Sequence, residues 1–318
     1  MSSTAVVVPP DTASGPPRRR RTRRQVLGRR LSPLLWVGPA VVLIAFSVVW
    51  PVVTMVQSAF LRISSYGIVD GSAGWANFQN LFNEPDIGAI LWRTVIWVMA
   101  VVALTLVISL GLAQLYNQQF PLRRLARWAL IAPWAASVLM TSIVFKWMLD
   151  PNNGAINLVL RDLGLLDQLG SASADHLGKA ATAMPWLIAV AVFVSLPFTT
   201  YALLAGLSAV PAEVYEAAKV DGASTLRTYV SITLPLLRPA LTVAALINVM
   251  NVFNSFPIIW AMTHGQPGYD TATTTVFMYV LKGSDIGESA ALSVVNFGIV
   301  IVVVGLFLRV SRWNTEVD

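Results

Sequence analysis

The side chains best suited to bind a ligand are amides and hydroxyls within long apolar segments. Asn248, Asn251 and Ser255 recur at spacings of three and four residues, and Asn254 is adjacent. These spacings place the first three on one face of a helix. An amide both donates and accepts hydrogen bonds, so it matches the hydroxyl groups of a sugar. Because polar groups in a membrane helix usually face protein or a water-filled path, these positions predict a pathway for a polar solute.

A second polar group lies around Pro197, where Ser195 and Thr199 occur in another apolar segment. Phe256 follows Ser255 and could offer an apolar face to a sugar ring. An alternative stays open, in which these hydroxyls and amides only hold helices together. For the asparagines the pathway is favoured, because three amides on so short a stretch exceed what packing needs.

The remaining chemistry-bearing residues predict neither a catalytic centre nor a metal site. The sequence has no cysteine and two histidines, His176 and His264, each isolated in an expected outer loop. The phosphate-binding pattern GxxxxGK[ST] is also absent from the sequence, so any ATP must be handled by another protein. We therefore expect no cofactor on this chain.

Composition indicates the elements that must position these residues. The chain has 318 residues, of which 56% are hydrophobic and 12% charged, whereas soluble domains are about 25% charged. Crossing a bilayer takes about 20 apolar residues as a helix. The sequence contains six such segments: Pro33–Phe60, Gly88–Tyr116, Leu125–Leu149, Ala180–Val210, Leu236–Thr263 and Ser289–Arg309. Since lipid cannot satisfy an open backbone, we predict an all-α integral membrane protein with six transmembrane helices.

The distribution of Lys and Arg predicts the orientation. With both termini in the cytoplasm, the inner side carries 16 Lys and Arg and the outer side six, while acidic residues number six inside and ten outside. The inner side thus has a net charge of +10 and the outer side −4, which agrees with the total of +6. The basic character is a topology signal, so nucleic acid is not an expected partner.

Residues 1–32 form a separate segment, rich in proline and then in arginine. This composition is typical of a disordered tail. We interpret it as a basic cytoplasmic anchor that contacts membrane lipid. Residues 33–318 are then one transmembrane domain.

A short polar loop, residues 211–235, separates the fourth and fifth apolar segments. Pro211 can begin a helix, and Glu213 and Glu216 would be stabilised near the positive end of a helix over residues 212–220. Gly222 can adopt the left-handed conformation of a helix end. Ser224 is a suitable N-cap for a second helix, residues 225–232, after which Pro235 and Pro239 should turn the chain. We predict a helix-turn-helix on the cytoplasmic surface.

This loop resembles the EAA loop of permease subunits in bacterial ABC (ATP-binding cassette) importers, in the version found in sugar importers. The matching positions are Glu216, Ala217, Ala218, Asp221, Gly222, Ile232, Leu234 and Pro235. The likeness extends over most of the chain, through Leu196-Pro197-Phe198, Gly154-Ala155-Ile156-Asn157 and Thr263-His264-Gly265-Gln266-Pro267. Gln266 departs from the small residue more common in that last element.

The resemblance implies a permease that hydrolyses nothing itself. Its partners would be a second homologous permease, a dimeric cytoplasmic ATPase that holds ATP and Mg, and an extracytoplasmic solute-binding protein. Glu216 would anchor the loop in a groove of the ATPase, and Ala217 and Ala218 would allow close approach. The chain resembles the first, maltose-type permease of the pair, which implies a disaccharide, an oligosaccharide or a glycerophosphodiester as substrate.

The alternative is a self-sufficient secondary transporter or channel. Such proteins often carry duplicated repeats and intramembrane carboxylates or histidines for ion coupling. No acidic residue or histidine lies deep within the six predicted helices, and no repeat is evident, so the importer subunit is the favoured interpretation.

Overall fold

A computed structural model of the chain describes residues 37–266 and 270–312. The predicted tail, residues 1–32, lies outside the described residues. The helices are α1 Val37–Ala59, α2 Ala76–Asn83, α3 Ile87–Asn117, α4 Arg123–Ile131, α5 Val138–Met148, α6 Ala155–Asp162, α7 Ala180–Ser208, α8 Ala212–Val220, α9 Thr225–Leu236, α10 Arg238–Phe253, α11 Pro257–Thr263, α12 Thr274–Lys282 and α13 Ile286–Arg312.

Four helices among the described residues are long and apolar enough to cross a membrane: α1, α3, and most of α7 and α13. Helices α9 and α10 pass the same test together, although they are bent by 65°. The prediction of a mainly helical protein with several helices able to cross a membrane is therefore confirmed. The count of six spans stays a prediction.

The third predicted span, Leu125–Leu149, is divided. Helix α4 passes into a 3-10 turn at Ala132–Ala135, and α5 begins only at Val138. Pro133 lies in this turn and has no N–H to continue the helix. Ser137 caps α5, since its Oγ accepts a hydrogen bond from the Met140 backbone at 3.2 Å.

Residues 37–54 form one contact unit and the chain from Met55 onward another. The first unit is an apolar helical stretch whose large side chains are exposed, as for Phe46 and Trp50. In the second unit, the core lies between α3, α7 and α10. Trp97 of α3 is fully buried there, and its indole Nε1 donates to the Val252 carbonyl of α10 at 3.0 Å.

The described chain is not purely helical. After α1, strands β1 (Leu61–Ile63) and β2 (Val69–Ser72) form an antiparallel hairpin within a segment predicted only as an outer loop. Asn77 of α2 holds this hairpin, because its Nδ2 donates to the carbonyls of Ala59 and Leu61 at 2.9 Å each. The bonds link residues 16 and 18 positions apart, so no local pattern could have indicated them.

Another long connection joins α5 to α7 through α6. Asn157 of α6 is fully buried, and its Nδ2 lies within hydrogen-bond distance of the carbonyls of Leu149, Asp150 and Ala174. One amide group thus holds three points of this connection together. Asn157, the last residue of the Gly154–Asn157 stretch, therefore has a structural role.

Candidate functional site

The loop between α7 and α10 forms a helix-turn-helix. Helix α8 covers Ala212–Val220, with Pro211 as N-cap and Glu213 in its first turn. At its end, Ala223 N donates to the Ala218 carbonyl at 2.9 Å and Gly222 N to the Lys219 carbonyl at 3.1 Å. Gly222 has a φ of +72°. This pair of bonds is a Schellman motif, which requires the left-handed residue that glycine supplies.

The second helix is longer than predicted. Ser224 caps it as expected, its Oγ accepting from Arg227 N at 3.3 Å, but α9 continues to Leu236 through a π-helical stretch at Tyr229–Thr233. The chain does not turn at Pro235. It bends by 65° between Leu236 and Arg238, where Leu237 is buried.

The predicted coupling residues differ in accessibility. Glu216, Ala217, Asp221 and Gly222 are exposed, Ala218 is buried, and Ile232, Leu234 and Pro235 are half-buried. Adjacent Ala217 and Ala218 were expected to act alike on a partner. In the structure Ala218 is buried within this chain, whereas Glu216 and Ala217 are exposed. The part that these residues play in docking stays a prediction.

The loop is attached to the bundle at a close helix crossing. A Cβ on Gly206 of α7 would lie 2.7 Å from Ala240 Cβ and 3.0 Å from Leu237 Cδ2, which is closer than van der Waals contact allows. Leu237 also belongs to a buried cluster with Leu203 and Leu207. The helices that lead into and out of the loop are therefore packed directly against each other.

A cavity of about 360 Å³ contains most of the predicted pathway residues. Its lining comprises Trp134, Val138, Ala191, Val194, Ser195, Phe198, Asn248, Asn251, Val252, Asn254, Ser255, Pro257 and Ile258. The break between α10 and α11 lies at Asn254–Phe256, so irregular backbone borders this cavity. No lining residue carries a charge.

Two predicted residues lie elsewhere. Thr199 is fully buried behind the cavity, where its Oγ1 accepts from Asn248 Nδ2 at 2.8 Å and donates to the Ser195 carbonyl at 2.8 Å. Phe256 stacks on Trp260, with ring centroids 5.3 Å apart, and also contacts Tyr279 of α12. The cavity thus unites Ser195 and the four polar residues of the fifth segment but neither Thr199 nor Phe256.

Two aromatic residues of the cavity lining, Trp134 and Phe198, were not among the predicted pathway residues. Phe198 adjoins the polar positions around Pro197, so its neighbourhood was a usable signal. Trp134 follows Pro133 in the turn that divides the third predicted span. The position of Trp134 near α10 could have been predicted only if that break between the helices had been known.

No cluster of three or more metal-ligating side chains occurs in the described ranges. His176 lies in the connection between α6 and α7, and its ring centroid lies 5.5 Å from that of Trp186. Desolvation lowers the pKa of His176 below its usual 6.5, partly opposed by the Asp175 carboxylate.

The sequence from residue 105 to residue 313 matches the family described as the binding-protein-dependent transport system inner membrane component. The chain belongs to this family. It is a membrane permease subunit and not an enzyme, and the predicted relationship to ABC importer permeases is confirmed.

Curated relatives match most of the chain. A probable ABC transporter permease of Brucella suis biovar 1 is 37% identical over 289 residues, covering 90% of this chain and 99% of the relative. The sulfoquinovosyl glycerol transport system permease SmoG of Agrobacterium fabrum is 33% identical, covering 92% and 94%. The trehalose/maltose transport system permease MalF of Thermococcus litoralis is 30% identical, covering 76% and 81%.

A solved structure shares the fold of the permease. A chain of the bacterial alginate ABC transporter, crystallised in complex with an alginate pentasaccharide-bound periplasmic protein, superposes with a TM-score of 0.77 at 20% identity. The match covers 93% of this chain and 99% of that chain.

Proposed function

We propose that this permease forms one half of the pathway of an ATP-driven sugar importer, as the first subunit of a pair with a second homologous permease. The observation that carries the proposal is the uncharged cavity of about 360 Å³ lined by Asn248, Asn251, Asn254, Ser255 and Ser195. Ligand pockets commonly measure about 300–1,000 Å³. Amides and hydroxyls on an otherwise apolar wall suit the hydroxyl groups of a neutral saccharide.

The substrate class follows from the same wall and from the relatives. Permeases named for sulfoquinovosyl glycerol and for trehalose/maltose match 92% and 76% of this chain, and both substrates contain a sugar ring. A disaccharide or oligosaccharide is therefore the proposed substrate. An anionic substrate, whether a glycerophosphodiester or a sulfonated sugar, fits less well than a neutral disaccharide, because no Lys or Arg lines the cavity to bind its phosphate or sulfonate.

The remaining parts of the importer are assigned to partners. Helix α8 docks on one subunit of a dimeric cytoplasmic ATPase that holds ATP and Mg, with exposed Glu216 and Ala217 in contact. The chain crosses the membrane six times with both termini inside. The solute-binding protein docks on outer segments 62–86, 150–179 and 264–288.

Coupling is tested in the complete complex reconstituted in liposomes with its binding protein. Glu216→Lys should abolish ATP-driven uptake of radiolabelled disaccharide while the subunits still co-purify from the membrane. Glu213→Lys is the matched control, because Glu213 is also exposed on the same helix but lies outside the EAA pattern. Equal loss in both variants would assign the effect to loop charge rather than to docking.

Transport by this chain alone would contradict the proposed function. If the isolated permease moved solute across liposomes without ATP, it would be a self-sufficient transporter and the proposal would be wrong.

A further inference from the structure

Helix α4 presents an apolar ridge that its own fold does not cover. Leu122, Leu125 and Trp128 are 74%, 63% and 69% exposed. Leu125 and Trp128 are three residues apart and share one side of α4, and Leu122 directly precedes the helix with a φ of +64°. Ala126 and Leu130 occupy the other side, where they pack against a buried cluster of α3, α7 and α10. The ridge is therefore separate from the side of α4 that packs against the rest of the protein.

Helix α4 is fastened rigidly to the bundle. Arg127 Nη2 donates to the Tyr116 carbonyl at 2.8 Å, and Tyr116 in turn donates through its hydroxyl to the Ala126 carbonyl at 3.2 Å. The Tyr201 hydroxyl of α7 donates to the Arg127 carbonyl at 3.2 Å. These bonds fix the direction in which the exposed ridge points.

Beside the ridge lies a cleft with two positive charges. Its volume is about 470 Å³, and it is lined by Gln119, Phe120, Leu122, Arg123, Arg124 and Leu125. The Arg123 Nε is buried and has no hydrogen-bond acceptor. Among the described residues neither Arg123 nor Arg124 forms an ion pair, and the cleft contains no acidic side chain.

Buried donors without an acceptor are costly, so the cleft is suited to an anion that brings its own oxygen atoms. The exposed leucines and tryptophan beside it require an apolar partner. A phospholipid satisfies both demands. Helix α4 lies between apolar helices of a membrane protein, and tryptophan favours the membrane interface. The surrounding bilayer would therefore supply this phospholipid.

We propose that this cleft is a binding site for one anionic phospholipid, with its phosphate between Arg123 and Arg124 and its acyl chains along Leu122, Leu125 and Trp128. Basic pockets between membrane helices bind anionic headgroups in this way. The site lies at the coupling-loop end of the bundle, since Tyr116 and Leu237 share a buried cluster. Its assignment to the inner leaflet rests on the orientation given under the proposed function.

The test uses the complete transporter complex in nanodiscs containing phosphatidylglycerol or phosphatidylcholine, with native mass spectrometry to count retained lipid. The wild type should retain one phosphatidylglycerol that phosphatidylcholine does not replace. Arg123→Gln and Arg124→Gln should each weaken that retention about fivefold, which is the effect expected of one basic residue at the membrane surface. Arg62→Gln makes the same charge change at an exposed position on the outer hairpin and should retain the lipid.

A side-chain swap separates charge from shape. Arg124→Lys keeps the charge and should retain most of the phosphatidylglycerol, and Trp128→Ala should weaken retention without removing the preference for an anionic headgroup.

Three results would overturn the proposal. Retention could be equal in Arg123→Gln, Arg124→Gln and Arg62→Gln, phosphatidylcholine could be retained as well as phosphatidylglycerol, or the arginine variants could lose the ATPase or second permease, which would show that protein covers the cleft. Glu216→Lys distinguishes the two proposals, since it should stop coupled uptake and leave the lipid count unchanged.

Discussion

Asn248 Nδ2 of α10 donates a 2.8 Å hydrogen bond to Thr199 Oγ1 of α7. Both side chains are buried, and the same amide also donates to the Ala244 carbonyl at 2.8 Å. By contrast, Asn251 and Asn254 line the cavity and are exposed. The polar residues around the cavity thus divide into a buried, helix-joining pair, Asn248 and Thr199, and an exposed pair, Asn251 and Asn254.

This division predicts opposite behaviour for two substitutions. Thr199→Val keeps the shape and removes the acceptor, so it should lower the free energy of unfolding by about 0.6 kcal/mol, the average for hydrogen bonds between membrane helices. Asn251→Ala should change stability by less than about 0.5 kcal/mol but reduce sugar uptake. Thermal unfolding and uptake by the reconstituted complex measure the two effects. Equal destabilisation by both variants would show that Asn251 also joins helices.

The crossing at Gly206 should be intolerant of any side chain. Gly206→Ala places a methyl group against Ala240 and Leu237, and overpacking of this kind typically costs about 1–3 kcal/mol. The variant should therefore unfold at lower temperature and couple ATP hydrolysis to uptake less well. Gly298→Ala is the matched control, because no atom lies within 4 Å of its added Cβ and alanine is the better helix former by about 1 kcal/mol. A Gly206→Ala variant as stable as the control would contradict the close crossing.

The two alanines of the EAA pattern should respond differently to enlargement. Ala217 is exposed and Ala218 is buried. Ala217→Leu should leave the permease as stable as the wild type and prevent docking, seen as loss of co-purifying ATPase. Ala218→Leu should lower the free energy of unfolding by about 1–3 kcal/mol, since Ala218 is buried and a larger side chain there would overpack its surroundings. If Ala217→Leu proved to be the destabilising variant, α8 would be rotated relative to the arrangement described.

The helix-turn-helix could be predicted from the sequence because its signals are local. Gly222 and Ser224 determine backbone geometry within a few residues of themselves, and α8 has the predicted bounds. The end of α9 was not predictable in this way. The bend at Leu237 follows from packing of that side chain against α7, which involves residues about thirty positions earlier in the chain.

The cavity was predictable only in part. The spacing of Asn248, Asn251 and Ser255 identified one wall, because helical periodicity requires no tertiary knowledge. The opposite wall includes Trp134, which reaches the site only because the third apolar segment is broken at residues 132–135. Hydropathy averages over such a break, so it registered one continuous span where the chain has two helices.

His176 should make the connection between α5 and α7 sensitive to acid. Its pKa is lowered, chiefly by desolvation, so between this pKa and 6.5 the unfolded segment binds more protons than the folded one. The folded segment should therefore lose stability as the pH falls through that window and be insensitive to pH above it. Hydrogen-exchange protection of residues 150–179, followed from about pH 7 to about pH 5, measures the change. His176→Phe retains an aromatic ring against Trp186 and should remove the pH dependence, whereas His264→Asn should leave it in place. Persistence of the slope in His176→Phe would assign the proton to another group.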